Sequence, residues 1–306
     1  MDFQTMFHYS KLIMMEGAIG ERLKTEFHRL PDPDVALASY VYNAPKQLET
    51  IFTQYINISH KYNVPIMLTT PTRKANKENV KHSCYSENIV LDNVLFLKNL
   101  RQKLGGQIYI GGLMGCKGDA YKGITDLTES ESFEFHTWQA EQFKLANVDY
   151  LFAGIMPTLS ETLGLAKAMA QTNLPYIISF MIRNDGKLLD GTPIASAIEM
   201  IDQIVSPTPL CYMTNCVHPD FVYEALTQQF NQCTTINNRF LGIQANTALL
   251  TPEEIESSNK IINSTIAELT TSMVKLYNHY HFKIFGGCCG TNQYYLEDII
   301  KTISNL

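Results

Sequence analysis

Three of the chain's seven cysteines stand at positions from which they could bind one metal ion. Cys288 and Cys289 are adjacent and lie between glycines, which permit the sharp backbone bend that two neighbouring ligands of one ion require. Cys216 lies well upstream. Thiolates in tetrahedral geometry are ligands that Zn²⁺ prefers, and three protein ligands leave a fourth position open for water or a substrate. The spacing also allows the alternative that the pair is buried as small hydrophobes or forms a disulfide between neighbours.

The elements that would position these cysteines are indicated by short apolar runs that alternate eight times with longer amphipathic stretches. This pattern is typical of parallel strands joined by helices. It predicts an α/β fold, a (β/α)8 TIM barrel, with one domain over residues 1–306 because no linker-like segment divides the chain. A doubly wound open sheet is the main alternative, but EGAIG after the first strand does not match its GxGxxG loop. The predicted strands centre on Leu12, Met67, Tyr109, Leu151, Ile178, Tyr212, Gly242 and Ile284.

The active site of such a barrel lies at the carboxyl ends of its strands. Cys216 follows the sixth predicted strand and the Cys288–Cys289 pair follows the eighth, so the three thiols are expected to meet at one mouth of the barrel. None of the other cysteines has a second ligand at metal spacing, and we interpret them as incidental to the site. They are Cys84, Cys116, Cys211 and Cys233.

The bulk composition favours a globular protein with a small-molecule partner. Hydrophobic residues make up 45% of the chain and charged residues 18%, which is ample apolar material for a core. The 24 Lys and Arg residues against 30 Asp and Glu residues give a net charge of -6, so no general field attracts nucleic acid or an anionic membrane. The first residues lack the features of a signal peptide, and no segment approaches the roughly 18 unbroken apolar residues of a membrane span. We therefore expect a cytoplasmic protein, with which the odd number of cysteines agrees.

Four segments accompany the predicted strand ends in the order EGAIGERL, DGTPIASAIE, TNCVHP and FGGCCGT. In this order they resemble segments of the homocysteine S-methyltransferase family: TNCVHP and FGGCCGT its two zinc motifs, and EGAIGERL its strand-one DGGxGT motif. The resemblance implies that Cys216, Cys288 and Cys289 hold Zn²⁺. It also implies transfer of a methyl group from a charged donor to the thiol of homocysteine, giving methionine. S-methylmethionine and S-adenosylmethionine are the favoured donors, with betaine as a further candidate.

Other residues near the strand ends are candidates for contact with the substrate. Glu16 stands where the family motif has Asp, and the resemblance implies that it contacts the amino acid substrate; a solvated acid at a turn is the alternative. Asn215 could orient the metal ligands through its amide, or only close a turn. Glu16 and Asn215 are the candidate catalytic residues. Thr70 and Arg73, after strand two, are candidate substrate-binding residues, although Arg73 could also be a solvated loop charge.

One departure from the family pattern concerns the acceptor. The family commonly has an acidic residue after strand four that helps to hold the substrate amino group, and Gly154 stands at that place. An unpaired buried ammonium is costly, so this change would strongly affect the choice of substrate. The alternatives are thus a zinc-dependent methyltransferase that acts on another thiol or a selenol, and a non-catalytic zinc-binding barrel. The oligomeric state and the identity of the donor stay open.

Overall fold

Eight parallel strands close into a barrel in the order of the sequence. The computed structural model describes residues 1–123, 127–250 and 263–306. The first strand pairs with both the second and the eighth, so the sheet has no free edge. This closure confirms the predicted (β/α)8 TIM barrel. The strands are β1 Ile13–Met15, β2 Ile66–Thr69, β3 Ile108–Gly115, β4 Tyr150–Met156, β5 Tyr176–Phe180, β6 Cys211–Val217, β7 Phe240–Ala245 and β8 Ile284–Gly287.

Helices surround the barrel and bury their apolar faces against it. Within the three described ranges, no helix is both long enough and apolar enough to cross a membrane. The α-helices of these ranges are α1 Phe3–Tyr9, α2 Gly20–Phe27, α3 Tyr40–Asn43, α4 Pro45–Tyr62, α5 Lys77–His82, α6 Ile89–Leu104, α7 Glu129–Leu145, α8 Leu159–Ala170, α9 Ile194–Ile204, α10 Pro219–Thr227, α11 Thr234–Arg239, α12 Ile266–Tyr280 and α13 Gln293–Ser304.

The start of α12 differs from the prediction. The amphipathic pattern predicts one helix over 252–280, but the observed helix begins directly after Thr265. There the Thr265 side chain accepts a hydrogen bond from the Glu268 backbone, and the Glu268 side chain accepts one from the Thr265 backbone. This reciprocal cap satisfies two backbone donors at the helix end. Asn263, which the prediction placed inside the helix, pairs with Ala248 instead. The predicted start at 251–254 lies outside the described residues.

The amino-terminal end of the barrel is closed by α1. The ring of Phe3 stacks on that of Tyr150 with their centroids 4.4 Å apart, and Met6 is fully buried. Both aromatic side chains belong to one apolar cluster with the barrel residues Met67 and Met213. This cluster fills the barrel from below, and the strands terminate at the opposite end, where the active sites of such barrels lie.

Candidate metal centre and substrate cavity

The three predicted cysteines meet at the carboxyl ends of β6 and β8. The Sγ atoms of Cys216 and Cys289 lie 3.6 Å apart, and those of Cys288 and Cys289 lie 4.0 Å apart. All three Sγ atoms lie within 4.8 Å of one another, so the group could hold a metal ion. All three are free thiols; Cys216 is buried and Cys289 is exposed.

A backbone irregularity points Cys216 toward the other two thiols. The pairing of β6 with β7 shifts register between Asn215 and Val217, and Cys216 has a φ of 65°. A left-handed conformation is uncommon for a residue with a side chain and must be held by its surroundings. Asn215 supplies part of that hold. Its Oδ1 accepts hydrogen bonds from the backbone N–H of Ile155 at 2.9 Å and from the Ser179 hydroxyl at 2.5 Å.

These two hydrogen bonds place Asn215, a predicted catalytic residue, at a junction of three strands. They tie β6 to β4 and β5 directly beside Cys216. Ile155 also has a positive φ, of 55°, at a register shift in β4. Asn215 therefore joins two irregular strand ends, and its side chain lines the cavity beside the thiols.

The Cys288–Cys289 pair is fixed by the turn that follows β8. The Cys288 backbone donates a hydrogen bond to the Ala245 carbonyl at 2.7 Å, and the Thr291 hydroxyl donates one to the Cys288 carbonyl at 2.7 Å. Gly290 has a φ of 80°, where a side chain would be strained, and its N–H donates to the Glu21 carboxylate at 2.5 Å. The flanking glycine that the sequence identified is thus required by the backbone conformation.

The interactions among the three thiols favour ionisation of Cys216 over that of its two neighbours. Hydrogen bonds from Cys288 and Cys289 hold the pKa of the Cys216 thiol well below its usual range. The same interactions with Cys216 raise the pKa of both partners. Only thiolates are good metal ligands, so a bound ion would release the protons that Cys288 and Cys289 keep.

Glu16 lies buried at the end of β1 and connects this strand to β2. Its carboxylate accepts hydrogen bonds from the Thr69 hydroxyl at 2.5 Å and from the Thr69 backbone at 3.2 Å. Burial raises the pKa of Glu16 from 4.5 to about 7, against the lowering effect of these bonds. The carboxyl group is therefore poised between its neutral and ionised forms near neutral pH.

A cavity of about 240 Å³ opens beside the cysteines at the barrel mouth. Two of the predicted substrate-binding residues, Glu16 and Arg73, line this cavity, whereas the third, Thr70, does not. Thr70 is fully buried, and its hydroxyl lies 2.7 Å from that of Thr72. Its neighbour Thr69 lines the cavity in its place.

Arg73 is the single cationic residue among the described residues that line the cavity. Its aliphatic part lies over Gly115, where a Cβ would collide with it. The guanidinium forms no hydrogen bond or ion pair with the part of the chain that the structure describes. It is therefore free to meet an anionic group of a ligand.

Tyr121 is a site residue that the sequence did not reveal. Its hydroxyl lies 2.9 Å from the Cys216 Sγ, and it lines the same cavity. The available signal was its position in the loop after β3, at the functional end of the barrel. Cys116, in the same loop, is buried, and its Sγ lies 3.5 Å from the Gly118 carbonyl.

Comparison with known proteins identifies the class to which this site belongs. The sequence model of the homocysteine S-methyltransferase family matches residues 13–303, so the chain belongs to that family and is a methyltransferase. This result favours a methyltransferase over the alternative of a non-catalytic zinc-binding barrel. A search of curated protein sequences gave no match.

Solved structures with the same fold include the homocysteine methyltransferase MmuM from Escherichia coli. Its metallated form has 16% sequence identity and a TM-score of 0.77, over 97% of this chain and 98% of that one. Its oxidised form has 16% identity and a TM-score of 0.76, over 97% of each chain. Its apo form has 15% identity and a TM-score of 0.68, over 96% of each. At this identity the likeness establishes the shared fold.

The raised pKa of Glu16 predicts a pH-dependent effect of the substitution Glu16→Gln. A carboxyl group whose pKa is higher in the folded than in the unfolded chain contributes stability below about pH 4.5, and this contribution is lost as the pH rises to about 7. Glutamine does not ionise. Relative to wild type, the free energy of unfolding of the variant should therefore increase by about 2 to 3 kcal/mol between pH 5 and pH 8.

Urea denaturation of the reduced, metal-free protein at the two pH values measures this difference. Glu87→Gln, at an exposed position, is the control and should show no comparable change. Parallel pH profiles for Glu16→Gln and wild type would contradict the prediction.

Proposed function

We propose that the chain transfers a methyl group from a positively charged donor to the thiol of homocysteine, giving methionine, with Zn²⁺ held by Cys216, Cys288 and Cys289. The observation that carries this proposal is the spacing of the three sulfur atoms at the mouth of the cavity. Ligands at about 2.3 Å from a tetrahedral Zn²⁺ lie about 3.8 Å from each other. The distances of 3.6 Å and 4.0 Å fit one such ion.

Cys288 and Cys289 line the cavity, so a substrate sulfur bound there would be the fourth ligand of such a site. A thiol is mostly protonated at neutral pH, and only its thiolate attacks carbon well. Bound Zn²⁺ would supply the chemistry of keeping this sulfur deprotonated and reactive. The chain itself contributes alignment, because the cavity walls hold donor and acceptor in one orientation for an in-line transfer.

The charge of the cavity favours a cationic methyl donor. Cys288 and Cys289 line it together with the carboxyl groups of Glu16 and Glu21, against the single guanidinium of Arg73 among the described lining residues. A sulfonium or quaternary ammonium group is attracted to this environment and loses its charge on transfer. S-methylmethionine and S-adenosylmethionine are therefore our favoured donors, with betaine as a further candidate.

Glu16 and Arg73 are suited to the two charged groups of an amino acid acceptor. The free guanidinium of Arg73 can bind the carboxylate through paired hydrogen bonds. Glu16 can bind the ammonium group, because a nearby cation favours the ionised form of a carboxyl whose pKa burial has raised.

We place the reaction in the cytoplasm, since the free thiols need a reducing compartment, and assign it to a single domain over residues 1–306.

The reaction is tested with reduced, zinc-loaded protein, homocysteine and each donor in turn, with methionine measured by mass spectrometry. Cys288→Ser should lower the rate by on the order of 100-fold or more, since changes that only support metal ligands already cost about 10- to 100-fold. Cys84→Ser removes an exposed thiol outside the cluster and should retain activity. Equal rates for Cys288→Ser and wild type would contradict the metal assignment. No methionine from the zinc-loaded wild type with any donor would contradict the homocysteine assignment.

A second candidate function is methyl transfer to another thiol or to a selenol. Gly154 and its neighbours favour it, because the cavity wall there is apolar. The Cδ1 of Leu113 lies 2.8 Å from where a Cβ at Gly154 would be, so Leu113 occupies the space of a side chain at this position. Phe152 and Ile155 continue the same wall. Among the described residues of this wall, none would offer a carboxylate to an ammonium group.

Comparison of homocysteine with 4-mercaptobutanoate separates the two candidates. The second compound has the same spacing from thiol to carboxylate but no amino group. If the acceptor is homocysteine, it should be the better substrate, and Arg73→Met should raise the KM for both acceptors by about 10-fold, the loss expected for a charged hydrogen bond. Lys74→Met, at the adjacent cation, is the control. Equal kcat/KM for the two acceptors would show that the amino group is not recognised and would favour the second candidate.

A further inference from the structure

Tyr121 brings a phenol into the thiol cluster. Its hydroxyl oxygen lies 2.9 Å from the Sγ of Cys216, which is a hydrogen-bond distance, and the Sγ of Cys289 lies 3.6 Å from the same sulfur. Cys216 is also the most buried of the three cysteines, with 4% of its surface exposed. Water can donate hydrogen bonds to the exposed Cys289, but a protein donor is needed for Cys216.

The loop that carries Tyr121 is held by the buried carboxylate of Glu161. The N–H of Lys117 donates a hydrogen bond to Glu161 at 2.6 Å, and the His136 Nε2 lies 3.2 Å from the same carboxylate oxygen. The side chains of His136 on α7 and Glu161 on α8 are both fully buried. Within the loop, the N–H of Tyr121 donates to the Asp119 carboxylate at 2.9 Å. The hydrogen bond to Glu161 therefore holds the loop against α8, and the hydrogen bond to Asp119 holds the backbone of Tyr121 within the loop.

We propose that Tyr121 donates a hydrogen bond to the Cys216 thiolate and thereby tunes the metal centre, as a positioning residue for the proposed reaction. The inference rests on the proposed function in one respect, namely that the three cysteines bind a metal ion. The phenol is the donor because its proton is ordinarily held more tightly than that of a thiol.

Such a bond has two consequences for the site. It holds the Cys216 sulfur in place at a residue whose backbone is strained, with a φ of 65°. It also withdraws electron density from one ligand of a centre in which four thiolates would otherwise give excess negative charge. Removal of the hydroxyl should therefore weaken metal binding and make the Cys216 sulfur a stronger electron donor.

The test compares full-length wild type with Tyr121→Phe, which keeps the ring and removes the hydroxyl. Zinc affinity is measured by competition with a chromophoric chelator. Cobalt-loaded protein reports the sulfur-to-metal charge-transfer absorption, which a purely structural role would not move. We expect about 10-fold weaker zinc binding and a charge-transfer band at lower energy. Tyr42→Phe is the matched control, since it removes a hydroxyl bonded to Asp92 at 2.5 Å on the protein surface, and should leave both readouts unchanged.

Zinc affinity and a cobalt spectrum equal to those of wild type would overturn the role of Tyr121. A tyrosinate absorption that appears on zinc addition and is absent in Tyr121→Phe would also overturn it, because the phenol would then be a direct ligand. Failure of the wild type itself to bind zinc or cobalt would instead overturn the metal assignment of the proposed function, and this inference with it.

Discussion

The site depends on the strand order of the parallel sheet, in which β7 pairs with both β6 and β8 and places their carboxyl ends on either side of its own. The carbonyl of Ala245, at the end of β7, accepts the hydrogen bond of the Cys288 N–H. This order alone does not make the sulfur atoms converge. Cys216 must also leave the regular strand conformation, and the bonds of Asn215 to β4 and β5 hold the surrounding backbone. Strained residues of this kind persist only where neighbouring contacts determine them.

The charges around the proposed metal site are those expected for the proposed methyl transfer from a cationic donor. A Zn²⁺ with three cysteine ligands and a substrate thiolate would carry a net negative charge, and the cavity around it is largely uncharged or acidic. Below about pH 7, a neutral Glu16 would not repel this negatively charged centre. An ammonium group beside Glu16 would favour the ionised form of its carboxyl group. The same residue can thus respond to the charge of the ligand. Arg73 adds the one fixed positive charge among the described lining residues.

Much of this arrangement could be predicted from the sequence, because it follows from periodicity and from the rule that barrel sites lie at strand ends. The strand pattern located Cys216, Cys288, Cys289 and Glu16 at the correct end. The choice between Thr69 and Thr70 was beyond that pattern. Neighbouring residues of a strand point their side chains to opposite faces. An error of one residue at the strand end therefore selects a side chain that is buried away from the cavity instead of one that lines it.

Tyr121 and the irregular strand ends could not be predicted for a different reason. The contact of Tyr121 with Cys216 joins residues far apart in the chain, and it depends on a loop whose course is set by Glu161 and His136. The register shifts in β4 and β6 have no glycine at the residues with positive φ, Ile155 and Cys216, so no local signal marks them.

The proposed function requires that the three cysteines form a metal site whose fourth ligand is the substrate sulfur. X-ray absorption at the zinc edge, before and after addition of homocysteine, measures this ligand set. We expect three sulfur ligands at about 2.3 Å with one lighter ligand, changing to four sulfur ligands when homocysteine is added. Protein that binds no zinc, or a zinc shell of four ligands that homocysteine leaves unchanged, would contradict it.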